Sequence, residues 1–196
     1  MSFFAEFTDA GTRLARKDTR FYFCGRNPSQ GSGNCIGTII MCNPGGAKGP
    51  VGIWTRIIKT DPTLDSIEQI LRAAVALKRD AITDFSVSPD DYVQILNCCY
   101  ICDTNPPKSC LCGIRESVKG KWAWVAWGDK KTSITSTGVA TVGTVPAFWF
   151  EQSIKGIRRG SPVPSDIFPI HPLPVGWRTH HPKYATEVAR EIASRL

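Results

Sequence analysis

The chain contains no apolar run approaching the roughly 20 residues that cross a bilayer as a helix. Its N-terminus, M-S-F-F-A-E-F-T-D, lacks the positively charged segment and apolar core of an export signal. Together these absences argue against a membrane span or membrane partner and make a cytoplasmic location the expectation. There is no long block of like charge, which argues against a disordered basic tail. Nor is there an internal repeat, low-complexity tract or linker, so one domain covering 1–196 is expected. Paired C-x-x-C units are missing despite 8 cysteines, which weakens any reading as a zinc ribbon.

What is present is ordinary for a globular protein: 196 residues, 42% hydrophobic and 21% charged, enough to bury a core without staples. The net charge of +7 favours a polyanionic partner such as nucleic acid.

The most informative stretch runs from Cys35 to Trp54. A β-branched run, Ile36 to Met41, ends at Asn43-Pro44-Gly45-Gly46, and an apolar helical pattern resumes over Ile53 to Lys59. In an open α/β sheet such a loop lies at the carboxyl end of a strand, where ligands bind. Asn, Pro and Gly are also the usual residues of a plain turn, so the rest of the chain must decide.

Residues 3–17 carry a weak helical pattern interrupted at Gly11. Arg20 to Cys24 reads as a strand able to pair antiparallel with Ile36 to Met41. Asp65, three residues before Glu68, opens an amphipathic helix with Ile67, Ile70, Leu71, Ala74 and Val75 on one face. Tyr92 to Leu96 is a strand leading into Asn97. Trp122 to Trp127 reads as a strand covered on both faces, with its tryptophans in the core. Pro146 opens an expected helix reaching Ile157, and Ile167 to Ile170 is a final edge strand. A last helix begins near Pro182, with Tyr184, Val188 and Ile192 at four-residue spacing.

Polar loops follow the strands at Asn43–Lys48, Asn97–Lys108 and Gly128–Thr132, and His171, His180 and His181 precede the last helix. Parallel strands would bring these loops to one sheet edge. An Asn there can orient a water or pair with a base edge, and a histidine can donate to an oxygen that gains charge.

The stretch I-M-C-N-P-G-G-A-K-G-P-V-G-I-W resembles the first motif of the uracil-DNA glycosylase superfamily. H-H-P-K-Y before a helix is similar to its second motif, and W-A-W-V-A-W-G to its strand ending in glycine. In order, R-F-Y-F, M-C-N-P-G, Asp61-Pro62-Thr63, I-L-N, Trp127-Gly128 and His181-Pro182-Lys183-Tyr184 also resemble the bacterial and phage domain-of-unknown-function family sixteen-forty-three. The resemblance implies an α/β fold, a three-layer α-β-α sandwich with a mostly parallel central sheet and a pocket for a flipped or free base. By the same resemblance Asn43 orients the attacking water and His181 stabilises the departing base anion. Pro44 and Gly45 shape the pocket floor, Gly46 is a further substrate-binding residue, and Trp54 or Tyr100 stacks on the base. Asn97 and His171 complete the substrate contacts, with His171-Pro172 competing with His181-Pro182 for the second motif. The glycine loop holds no carboxylate, so Asn43 would act without one.

Cys98, Cys99, Cys102, Cys110 and Cys112 flank N-P-P-K, similar to glycosylase branches with a four-iron cluster, in which Cys24 and Cys35 would supply the remaining ligands; zinc would suit four thiolates as well. Their irregular spacing fits reduced, partly buried thiols better, so no metal or cofactor is expected. The function expected is hydrolysis of the N-glycosidic bond of uracil or a related base in DNA, as in base-excision repair. The alternative is a non-catalytic protein on the same fold that binds a nucleotide or a modified base in nucleic acid.

Overall fold

The computed structural model describes residues 1–23, 28–29, 32–42, 44–46, 48–57, 62–102, 116–128, 139–151, 154–164, 169 and 183–196. Its strands are β1 (Ser2–Ala10), β2 (Arg13–Tyr22), β3 (Cys35–Met41), β4 (Trp54–Arg56), β5 (Tyr92–Asn97), β6 (Ala123–Val125), β7 (Ala147–Glu151) and β8 (Gly156–Gly160). They form one eight-stranded sheet in the order β4-β1-β2-β5-β3-β6-β7-β8. The helices are α1 (Pro62–Ala81), a single helical turn α2 (139–142) and α3 (Lys183–Ala193).

The fold is α/β, as expected, but the sheet is mixed. Three pairings, β5·β3, β3·β6 and β6·β7, are parallel, whereas four, β4·β1, β1·β2, β2·β5 and β7·β8, are antiparallel. The expectation of a mostly parallel sheet is therefore corrected, because two stretches read as helical are hairpins. In the first, Phe3, Ala5 and Phe7 turn into the larger core at a period of two, and Gly11-Thr12 joins the paired residues Ala10 and Arg13. In the second, Phe148 and Phe150 enter one core while Ala147 and Trp149 enter the other, so a strand buried on both faces was mistaken for a helix after Pro146.

Two further local readings change. Trp54–Arg56 pairs with β1 as a short strand instead of forming helical turns, while 58–61 lie outside the described residues. β2 and β3 are not neighbours either, since β5 lies between them. The strand expected at Ile167–Ile170 lies outside the described residues apart from Pro169, which bridges Glu151.

Within the sheet, β5, β3, β6 and β7 form a contiguous parallel block, and its connections explain the two cores. A right-handed crossover from β3 to β5 moves one way along the sheet, and the one from β6 to β7 moves the other way. Their helical segments must then lie on opposite faces. Accordingly Leu64, Ile67, Leu71 and Ala74 of α1 pack with Ile39, Met41, Val93, Ile95 and Trp124, whereas Val142 of α2 packs with Ile40, Leu96, Val125 and Trp127. α3 lies on the α1 side, and its expected face, Tyr184, Val188 and Ile192, is buried there. Among the described residues the α2 side carries one helical turn, so the coarse α/β architecture is what stands. No helix among these residues is long and apolar enough to cross a membrane.

Candidate functional site

The order of the parallel block reverses at β3, with β5 on one side and β6 and β7 on the other. The crevice beyond the carboxyl ends of such strands is where open α/β sheets bind ligands. β3 ends at Met41 and runs directly into the Asn-Pro-Gly-Gly loop. The strands stay hydrogen-bonded up to that point. The Cys98 amide donates to the Met41 carbonyl and the Cys99 amide to the Cys42 carbonyl, both at 2.8 Å, and the Ala126 amide donates to Ile40, also at 2.8 Å. A rigid edge of three strands thus presents Cys42 and Pro44, Asn97 and Cys98, and Trp127 and Gly128 side by side.

Of the predicted site residues, Pro44, Gly45 and Asn97 gather at this edge. Pro44 is buried, Gly45 partly so, and Gly46 is exposed. Gly45 has φ +69° and Gly128 φ +79°, left-handed conformations that side-chain-bearing residues rarely adopt, so both turns require glycine. Asn97 pairs with Met41 in register and so faces the α1 side with it. It is only 4% exposed, and neither Oδ1 nor Nδ2 has a hydrogen-bond partner. A buried amide left in that state costs stability, and its acceptor and two donors are groups that a ligand could satisfy.

Asn43, His171 and His181 lie outside the described residues. Their described neighbours are informative. Cys42 and Pro44 lie at the carboxyl edge, and the Tyr184 ring meets Phe150 near the carboxyl end of β7 at 5.0 Å between centroids. α3 therefore begins on the same edge as the glycine loop.

Trp54 and Tyr100 are placed differently. β4 is four strands from β3, roughly 19 Å at about 4.8 Å per strand. There Trp54 stacks on Phe4 at 4.9 Å, its indole nitrogen donates to the Asp18 carbonyl at 3.2 Å, and the Arg20 guanidinium lies 5.8 Å from its ring. Trp54 is committed to packing the N-terminal hairpin. Tyr100 is 5% exposed in a small cluster with Ala15, Cys99 and Ile101, and its side chain hydrogen-bonds Glu116. The Trp54 ring is thus held in the N-terminal hairpin, and the Tyr100 ring is buried beside Glu116.

Glu116 was not foreseen. Burial raises its carboxyl above the ordinary range, even though Oε1 accepts the Asp18 amide at 3.0 Å; Oε2 is buried without a hydrogen-bond partner. No spacing in the sequence links it to Asp18, 98 residues away.

The cysteines divide. Cys35, Cys42, Cys98 and Cys102 are in no disulfide, as the thiol reading expects, but Cys99 is disulfide-bonded. The expectation of thiols before disulfides is corrected at that position. Burial pushes the Cys98 thiol up, and neighbouring Cys42 adds to the rise, so Cys98 is poor in thiolate. Among the described residues no group of three or more His, Cys, Asp or Glu side chains is arranged to hold a metal, while Cys24, Cys110 and Cys112 lie outside them.

Comparison of the chain with protein-family models, with curated proteins and with solved structures returned no match.

Proposed function

We propose that the carboxyl edge around the Asn-Pro-Gly-Gly loop recognises a nucleobase, and that the protein is a DNA glycosylase-like hydrolase acting on uracil or a related base. The observation that carries this reading is the Asn97 amide, buried and without a hydrogen-bond partner where the parallel order reverses. A carboxamide offers one acceptor and two donors in a plane, which matches the imide edge of uracil. Asn43, in the loop that follows β3, would hold the attacking water, and His181 would donate to the base oxygen that gains charge as the glycosidic bond breaks. The net charge of +7 supports a nucleic-acid substrate.

The test is alkali cleavage of a labelled oligonucleotide carrying one uracil, presented single-stranded, paired and mismatched. Wild type should release uracil and generate the cleavable abasic site, and Asn43→Ala should lower the rate by about two orders of magnitude. Wild type inert on all three substrates would eliminate the hydrolase. Salt-sensitive retention of the uracil strand without turnover would then point to a binding protein on the same scaffold.

A further inference from the structure

β3 and β5 both run out into cysteines, and the ladder sets those cysteines side by side. The two strands are parallel and in register as far as Met41·Asn97, so the next position places Cys42 opposite Cys98. Their backbones are still joined there, the Cys98 amide donating to the Met41 carbonyl and the Cys99 amide to the Cys42 carbonyl, both at 2.8 Å. One strand spacing, about 4.8 Å, therefore separates the two Cα atoms. Disulfides bridge Cα atoms about 4.4–6.8 Å apart. Alternation along each strand turns Cys42 the same way as Ile40 and Cys98 the same way as Leu96, and all four share the core cluster that contains Trp127. Cys42 also acts electrostatically on the Cys98 thiol, a second sign that the sulfurs are close. Neither cysteine is in a disulfide.

Two adjacent thiols can hold a soft metal ion or close into a disulfide. A metal would need thiolates, which the apolar surroundings oppose, and among the described residues no third His, Cys, Asp or Glu side chain joins the pair. A disulfide carries no charge, so the burial that disfavours the thiolate does not disfavour that product. The other described cysteines stand apart from the pair. Cys35 lies at the opposite end of β3, where its Sγ donates to the Gly37 carbonyl at 3.3 Å, and Cys99 belongs to the separate cluster of Ala15, Tyr100 and Ile101.

We propose that Cys42 and Cys98 are a reversible dithiol–disulfide pair, closed across the ends of β3 and β5 by reaction with a peroxide. Cys98 reacts first, being 9% exposed where Cys42 is 1% exposed. Its thiolate sulfur attacks one peroxide oxygen, the O–O bond breaks, and the departing hydroxide takes up a proton as water, leaving a sulfenic acid on Cys98. The Cys42 sulfur then attacks the Cys98 sulfur, the S–O bond breaks, and the leaving hydroxide combines with the Cys42 proton as a second water. The thiols give up two electrons and two protons, and the peroxide accepts them. A small dithiol reverses the reaction by exchange. Because the first step needs a thiolate that burial makes scarce, oxidation is slow at neutral pH and speeds up as pH rises. The pair lies in sequence between Met41 and Asn43 and directly after Asn97, yet its chemistry is independent of what the carboxyl edge binds.

The full chain, purified without reductant so that the Cys99 disulfide is kept, would be treated with hydrogen peroxide at about pH 7, 8 and 9, quenched by alkylation, and followed by intact mass and unreduced peptide mapping. Wild type should lose two hydrogens and two alkylatable thiols, restored by a small dithiol, and fragmentation should place the new link between Cys42 and Cys98. The rate should rise about tenfold per pH unit over this range, because the thiolate remains a minority species. Cys42→Ala and Cys98→Ala should each abolish the link, whereas Cys35→Ala should retain it. Cys42→Ala should instead accumulate oxygen on Cys98, having no neighbour to displace it. The wild-type map stands even if a variant fails to fold. A link from Cys98 to any other cysteine overturns the proposal, as does oxygen added to wild-type Cys98 without a link. A folded Cys42→Ala protein that still loses two hydrogens, a rate that does not change with pH, or no loss of thiols at all overturns it equally.

Discussion

Replacing Asn97 with leucine should make the protein more stable and less competent. Asn and Leu branch identically at Cγ, so Asn97→Leu substitutes two methyl groups for Oδ1 and Nδ2 with little change of outline. Both amide atoms lack hydrogen-bond partners in a side chain that is 4% exposed. Mutational data put the cost of an unsatisfied buried polar group at about 1–3 kcal/mol, and the methyls recover apolar burial against Met41 and Ile95. Against this stands about 1 kcal/mol of overpacking, since methyls are bulkier than amide atoms. The net expectation is about 1–2 kcal/mol of stabilisation, or roughly 2–8 °C in Tm for a chain of this size. Urea unfolding followed by fluorescence of the six tryptophans would give the midpoint, with m unchanged. The same variant should lose uracil recognition, trading function for stability. A midpoint shifted downward by the equivalent of about 1 kcal/mol would refute the reasoning, because it would mean that the amide is satisfied in the resting protein.

Two further perturbations test other parts of the argument. Gly37 of β3 lies under the Trp122 ring, where an added Cβ would sit 2.1 Å from a ring carbon, so Gly37→Ala should destabilise by about 2–3 kcal/mol, read as a Tm drop of roughly 4–12 °C. An unchanged Tm would show that Trp122 can move aside at no cost. Glu116→Gln keeps an acceptor for the Asp18 amide and removes the buried charge. Because burial raises the folded carboxyl above its unfolded value, the folded state holds the proton more tightly, and stability falls as pH rises from the unfolded value through the folded one. The variant should therefore be more stable than wild type at neutral pH and lose that advantage as pH drops below the ordinary carboxylate range. Parallel stability profiles for the two proteins from pH 4 to pH 8, as about the span that matters, would contradict this assignment.

Several elements were legible because their signal is local. The α1 face from Ile67 to Val75 repeats at the helical period, and its buried set is the one the spacing names. β3, β5 and β6 are short apolar runs bounded by turn residues, and Trp124 of the third is buried together with its flanking Trp122 and Trp127, as the lack of alternation implied. The N-terminal hairpin was illegible for a physical reason. The bulge at Asp18 breaks the period-two pattern midway along β2, and R-L-A-R-K-D-T-R has no apolar alternation to reveal which charge turns inward. Trp54 illustrates the converse: an aromatic close in sequence to the glycine loop is carried four strands away by its pairing with β1.

The sequence by itself determined the local punctuation: where β3 stops, that Asn43-Pro44-Gly45-Gly46 follows it, and that an amphipathic helix carries Ile67 to Val75. Those choices follow from φ preferences and hydrophobic period, which neighbouring residues set among themselves. The tertiary structure alone decided which strands pair, and therefore that β5 separates β2 from β3 and brings Asn97 beside the loop. It also decided that Arg16, not Lys17, is buried, because the facing of a strand residue depends on the register of its partner across the ladder.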